Sequence, residues 1–291
     1  MRVRAATEDD VPAIAALIER HAQEVFGESE LSEEEVRHWF RLPNVWIRVA
    51  EQNESLFGYL DALSPSEEAP WDVYLCTLDA EAARALLAAV EEHAAQGVLH
   101  VVSQGKDTLL PGLLSADGWQ PVRHTFRMLI ELDGDIPEPV WPSGITVRSL
   151  RSGEERCVYE AYNVAFVEDW FFEPYPFEDW LELHRGHPDF DPSLWWLVEE
   201  GDELAGFTLN RWSFSGDPRY GWVGALGVLP AYRRRGLGEA LLRHSFCEFR
   251  ERGATRVGLG VDAQNETGAV RLYERVGMHV HRHNTTYEKE L

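Results

Sequence analysis

The stretch LGVLPAYRRRGLGEALL (226–242) places three arginines and two glycines between an alternating apolar run and an amphipathic one. Gly236 and Gly238 each weaken a helix by about 1 kcal/mol relative to alanine, so helix formation alone does not account for them. A helix N-terminus has four backbone N–H groups without intrahelical partners and carries the positive end of the peptide dipoles. Glycine lets an anion approach those amides closely, and arginine adds charge-assisted bonds to phosphate oxygens. Strand, RRRGLG and helix in that order predict a pyrophosphate site built from the amides of Arg234, Arg235, Gly236, Leu237, Gly238 and Glu239, with Arg233 beside it. The plainer alternative is an exposed basic turn in which the glycines only redirect the chain.

Working outward, GWVGALGV (221–228) reads as a strand, and EALLRHSFCEFRER (239–252) has helical spacing of apolar residues, ended by Gly253. RVGLGV (256–261) and ETGAVRLYERV (266–276) continue as strand and helix, with Gly277 as the next stop. The first half repeats this order. VWIRVAEQNESLFGYL (45–60) matches LWWLVEEGDELAGFTL (194–209), and VYLCTL, AEAARALLAAVEEHAAQG and VLHVVS follow as strand, helix and strand. The second half is five residues longer where it carries RRRGLG and the first half carries LDAEAAR (78–84). A stretch with Pro137, Pro139 and Pro142 separates the copies and reads as a stiff linker. The expected organisation is a degenerate N-terminal domain at 1–133, a linker at 134–144 and a C-terminal catalytic domain at 145–291.

The 291 residues carry 50 Asp+Glu against 27 Lys+Arg, a net charge of −23. Such a surface repels phosphate backbones and anionic lipid, so neither nucleic acid nor a membrane is expected as a partner. A hydrophobic content of 44% with 11% aromatics fits a folded globular protein. No run approaches the ~20 apolar residues that span a bilayer. Cys76, Cys157 and Cys247 are scattered and odd in number, which fits a reducing compartment better than a disulfide framework or a zinc site. A cytoplasmic protein is expected; its oligomeric state is not legible.

The loop is similar to the acetyl-CoA-binding motif of the GNAT (GCN5-related N-acetyltransferase) superfamily, Q/R-x-x-G-x-G/A, through Arg233, Gly236 and Gly238. NETGAVRLYERVGM (265–278) resembles that family's second signature through Asn265, Ala269, Tyr273 and Gly277, with Met278 where an aromatic is usual. The two-domain order and VDAQNETGAVRLYERVGM (261–278) look most like the mycothiol synthase-like acetyltransferases. The resemblance implies an α/β (α+β) fold of two tandem GNAT-like domains, each a mixed, mostly antiparallel central sheet flanked by helices. It implies acetyl-CoA as co-substrate, no metal, and direct attack by the primary amine of a small molecule, peptide or protein. Leu226, Gly227 and Val228 would supply strand contacts to the pantetheine, Asn265 and Ala269 would meet the CoA arm, and Tyr273 would protonate the departing thiolate. A phenol suits that role because it donates without first being charged.

Many members of the family carry a Glu on the strand before the loop to deprotonate the amine; here Trp222 stands where mycothiol synthase-like sequences tend to have it, and the base is unassigned. AFVEDWFFEPYPFEDW (165–180) interleaves acids with aromatics, Phe171 among them, which suits a cationic amine. Glu168, Asp169, Trp170, Phe172 and Trp222 are therefore the expected acceptor-pocket residues. Ordinary core aromatics with solvated acids are the plainer reading of that segment. His279, His281 and His283 alternate along HVHRH but lack a carboxylate partner in the motif, so they are read as surface residues rather than metal ligands. The rival to an enzyme is a non-catalytic acyl-CoA-binding sensor or scaffold that kept the loop and lost the base.

Overall fold

A computed structural model describes residues 1–291 apart from Glu67, Glu68, Phe171, Pro188 and Glu266. The first half runs β1 (Arg2–Ala5), α1 (Val11–Val25), α2 (Glu33–Trp39), β2 (Val45–Gln52), β3 (Ser55–Leu63), β4 (Trp71–Thr77), α3 (Ala80–Ala94), β5 (Val98–Gln104), α4 (Leu109–Ala116) and β6 (Gln120–Glu131). The second runs β7 (Ile145–Ser149), α5 (Glu155–Phe166), α6 (Phe177–Arg185), β8 (Trp195–Glu200), β9 (Glu203–Trp212), β10 (Tyr220–Val228), α7 (Leu237–Glu251), β11 (Arg256–Asp262), α8 (Ala269–Arg275) and β12 (His279–Glu290). The order of strands and helices is the same in both.

The strands form one 12-stranded sheet in the order β1-β2-β3-β4-β5-β12-β6-β11-β10-β9-β8-β7. Each half lends its last strand to the other. β12 lies between β5 and β6, and β6 lies between β12 and β11, antiparallel to its neighbours. Pairing is antiparallel except for β4–β5 and β10–β11, which are parallel. Both parallel pairs are short: residues 71–73 meet 99–101, and residues 220–223 meet 256–259, after which the strands part.

The helices cover both faces. α1 buries Val11, Ile14, Leu17 and Ile18, the three-and-four spacing of an amphipathic helix, and α7 likewise buries Leu237, Leu241, Leu242, Phe246 and Phe249. α1, α2, α5 and α6 lie on one face, where Glu35 of α2 meets His187 just past α6 at 2.6 Å. α3, α4, α7 and α8 pack on the other. The proline-bearing connection is anchored rather than loose, since Leu132 and Ile136 are buried in the α7–α8 core. No helix among the described residues is long and apolar enough to cross a membrane.

Where the exchanged strands meet, Arg127 of β6 stands directly opposite Arg282 of β12. Two guanidiniums so placed repel unless an anion joins them. Glu30, buried in the α1–α2 connection, does so: it accepts from Arg127 at 2.5 and 3.0 Å and from Arg282 at 2.7 Å. Glu28 adds contacts to Arg282 and to His281, the latter at 2.8 Å. A first-half loop thus neutralises the seam that holds the halves together.

Candidate active site

Beyond Val223, β10 leaves β11 and keeps only β9 as a neighbour, with a bulge at Gly224. The Leu229 amide donates to the Ala205 carbonyl at 3.0 Å, which sets the alternation along this antiparallel pair. Residues 225, 227 and 229 therefore bond to β9, and Leu226 and Val228 turn their backbone groups into the opening left by β11. Gly227 itself is needed for packing, because a Cβ there would strike the Phe207 ring and Ala165.

At the end of that opening, α7 begins in the left-handed region at Gly236, with φ of 87°, after Arg234 at 63°. Among the described residues, the amides of residues 234–239 have no hydrogen-bond acceptor; the first satisfied amide is that of Ala240, which donates to Gly236 at 3.0 Å. Six consecutive open donors at the N-terminus of a 15-residue helix form an anion cradle. Gly238 lets this turn lie against α8, since a Cβ would come within 3.2 Å of Leu272.

Two of the three arginines are engaged elsewhere. Arg233 donates to the Val228 carbonyl at 3.1 Å, to the Ala165 carbonyl at 3.3 Å and to Glu168 at 2.6 Å, tying α5 to the end of β10. Arg235 grips Glu200 at 2.5 and 3.1 Å. Their side chains thus shape the loop, and the backbone presents the donors. Glu239 turns outward to Arg243, at 2.9 Å. Asn265 accepts from the Thr267 amide at 2.9 Å, holding the turn before Gly268 and Ala269 at the start of α8.

Tyr273 projects from α8 and is buried in the α7–α8 core, 8% exposed. Its hydroxyl has no partner among the described residues. Burial, with a smaller contribution from the Asp169 charge, pushes its pKa up to about 12. The phenol is therefore protonated throughout the physiological range. Asp169, in the turn after α5, is raised above the ordinary carboxylate range by desolvation and by the neighbouring Asp262 charge. Asp169 also lines a cavity of about 370 Å³ between the halves. Its walls include Tyr162, Trp170, Phe172 and Tyr175 from the second half and Pro70, Asp72 and His100 from the first. Trp170 stacks on His100 at 4.9 Å, with the Arg123 guanidinium 5.4 Å from the Trp170 ring.

Of the expected acceptor residues, Asp169, Trp170 and Phe172 line this cavity. Glu168 does not; it is the carboxylate that holds Arg233. Trp222 does not either: it is packed against Phe214 and Tyr220 with Arg127 over its ring at 5.3 Å, a pocket of its own filled by side chains. Phe171 lies outside the described residues. The three histidines meet different neighbours, His279 near Glu131 at 3.9 Å, His281 at Glu28 and His283 against Phe126.

The acetyltransferase (GNAT) family model matches residues 156–278. Along nearly the whole chain, the solved GCN5-related N-acetyltransferase from Sphaerobacter thermophilus is 32% identical, with a TM-score of 0.76 over 99% of this chain and 95% of its own. This chain belongs to the GCN5-related N-acetyltransferase family. Proteins named mycothiol acetyltransferase from Streptomyces bingchenggensis and Geodermatophilus obscurus are 37% and 35% identical over 162 and 207 residues. Those matches span 54% and 68% of this chain, and about half to two thirds of the curated relatives, 48% and 66%. A tandem GNAT protein of the clavulanic acid biosynthesis pathway shares the fold, with a TM-score of 0.81 at 15% identity over 99% of this chain and 98% of its own.

The other half of this tandem GNAT chain lacks the same equipment. Asp79 caps α3, accepting from the amides of Glu81 at 2.9 Å and Ala82 at 2.8 Å. A carboxylate already sits where α7 leaves its donors open. At the offset that aligns Gly118 with Gly277, Tyr273 falls on Leu114, fully buried and without a hydroxyl. The contribution of Asp72 and His100 to the cavity had no sequence signal, because periodicity does not say which loop of one half faces the other.

Proposed function

We propose that this chain is an acetyl-CoA-dependent N-acetyltransferase whose acceptor is the primary amine of a small molecule bound between the halves. The observation that carries the reading is the continuity of parts: open amides at α7, the Leu226 backbone groups and the Val228 amide turned into the opening of β10, and Asp169, whose charge acts on Tyr273, lining a cavity of small-molecule size. The residues fit the co-substrate. The amides of residues 234–239 would hold its pyrophosphate, Leu226 and Val228 would pair with its amide-bearing arm, and it would supply the acetyl thioester.

An ammonium must lose a proton before it can attack. Asp169 is positioned to accept that proton, and its raised pKa makes it a stronger base than an ordinary aspartate. A backbone amide of the opened strand can stabilise charge that develops on the acyl oxygen. Tyr273 donates its hydroxyl proton to the leaving sulfur. The relatives named mycothiol acetyltransferase support acetyl transfer, and Trp222, at the position where mycothiol synthase-like sequences tend to carry a carboxylate, speaks against sharing their acceptor. That same residue favours the second reading, an acyl-CoA-binding sensor.

Thiol release from acetyl-CoA, measured over an amine panel and across pH, separates the two. Amine-dependent release is expected, with kcat rising through a pKa above the ~3.9 of a free aspartate. No alkaline fall from Tyr273 is expected below about pH 11. CoA-dependent thermal stabilisation without amine-dependent release would support the sensor.

A further inference from the structure

The charge of Asp169 acts on two phenols. One is Tyr273 of α8, in the α7–α8 core. The other is Tyr162 of α5, which lines the cavity together with Asp169. Burial, with a smaller contribution from Asp169, pushes the Tyr162 pKa up to about 12, so it too is a neutral hydroxyl at physiological pH. Tyr175 lines the same cavity, but the carboxylates that act on it are Asp72 and Asp179. Tyr162 is therefore the cavity phenol that belongs with Asp169.

Packing fixes the Tyr162 ring and leaves its hydroxyl unengaged. Between ring centroids, Phe166 is 4.6 Å away, His184 5.8 Å, Trp180 5.9 Å, Phe172 6.0 Å and Phe207 6.3 Å. These rings come from α5, α6, the connection between them and β9, and pairs at such separations attract through their edges and faces. Neighbouring polar groups are engaged with backbone: His184 Nδ1 donates to the Trp180 carbonyl at 2.8 Å, and the Tyr159 hydroxyl donates to the Tyr175 carbonyl at 2.8 Å. The Tyr162 hydroxyl has no hydrogen-bond partner among the described residues. With its ring held, that hydroxyl turns only about its own C–O bond, so a hydrogen bond to a bound molecule costs little further ordering.

An ammonium that gives one proton to Asp169 becomes a neutral amine with one lone pair and two N–H groups. The lone pair has to face the thioester carbon. A phenol oxygen accepts an N–H, and Tyr273 is already assigned to the sulfur. We propose that Tyr162 orients the acceptor: its oxygen accepts an N–H of the amine that Asp169 deprotonates, which turns the nitrogen lone pair towards the thioester. Each reactant then has its own phenol, Tyr273 for the sulfur and Tyr162 for the nitrogen. This inference rests on the acetyltransferase reading above and adds a positioning residue on the acceptor side.

The test compares Tyr162→Phe with the wild-type full chain, using acetyl-CoA and the panel of primary amines. The substitution keeps the ring and removes one oxygen. For each accepted amine kcat/KM should fall by ~10-fold or more, while KM for acetyl-CoA, calorimetric CoA affinity and the thermal midpoint stay at wild-type values. A ring that only packs would not separate the two substrates in this way. Unchanged kcat/KM for the amines, or a parallel rise in KM for acetyl-CoA, overturns the proposal. Calorimetric titration of the same amines into the CoA-loaded protein gives a readout that does not need turnover, and there the variant should bind them ~10-fold more weakly. Amine binding that Tyr162→Phe weakens, without thiol release by the wild type, would sink the enzymatic reading and keep the contact; amine-dependent release that Tyr162→Phe leaves unchanged would do the reverse.

Discussion

Two helices that begin at the same place in the two halves end their N-termini in opposite ways. α3 is capped by Asp79, which satisfies the amides of Glu81 and Ala82 and brings a negative charge to the helix dipole. α7 starts with a left-handed glycine and leaves the amides of residues 234–239 open. The first arrangement stabilises the helix by itself, and the second withholds that stabilisation until an anion supplies it. The comparison teaches that a site is recognised by donors a fold could have capped and did not. It also extends to the next helix, where the first half has the fully buried Leu114 at the position of Tyr273, whose phenol lies within reach of the Asp169 charge.

The sharpest way to break the comparison is at that tyrosine. Tyr273→Phe keeps the ring packed in the α7–α8 core, so CoA affinity and thermal midpoint should hardly change while kcat falls by ~10²–10⁴. Retention of near wild-type kcat would remove Tyr273 as the proton donor.

Next in size is the seam. Glu30→Ala leaves Arg127 and Arg282 facing each other without their shared anion and should cost about 3–5 kcal/mol in chemical denaturation. The pH dependence follows in sign. Glu28 is lowered to about 2, burial being outweighed by His281 and Arg282, and Glu30 is also lowered, its burial outweighed by Arg127 and Arg282. Groups held low stabilise the fold above their unfolded pKa of ~4.3, and that stability should drain away as pH falls towards 2. Glu28→Gln should flatten the loss; an unchanged acid profile would contradict the role given to this pair.

Smaller effects separate the two helix ends. Gly236→Val forces a β-branched residue to φ of 87° beside the open amides and should weaken CoA by ~10-fold or more with the domain still folded. Asp79→Ala at the other end should cost about 1 kcal/mol of stability and leave CoA affinity untouched. Isothermal titration with parallel denaturant melts reads both.

Much of this was legible locally. Strand, Arg/Gly loop and helix are contiguous, so their order is visible in residues 221–252, and Asp79 two residues before Glu81 is a cap readable from type and spacing. The strand exchange was not legible, because β6 and β12 have side-chain patterns that suit either half and their mutual register depends on partners 150 or more residues away. Arg127, Arg282 and Glu30 are individually ordinary; only the exchange brings them together. Similarly, Trp222 reads as a pocket residue along β10, yet the first-half loop that bears Glu30 comes over that face with Phe214 and closes it. Nothing in its own neighbourhood of sequence signals that cover.

The central claim is that one half offers an open helix end and the other a closed one. Titration of CoA into the full chain by calorimetry tests it most directly. The account predicts one equivalent bound per chain, weakened by Gly236→Val and indifferent to Asp79→Ala. Two equivalent sites, or a single site that Asp79→Ala alters and Gly236→Val does not, would contradict it.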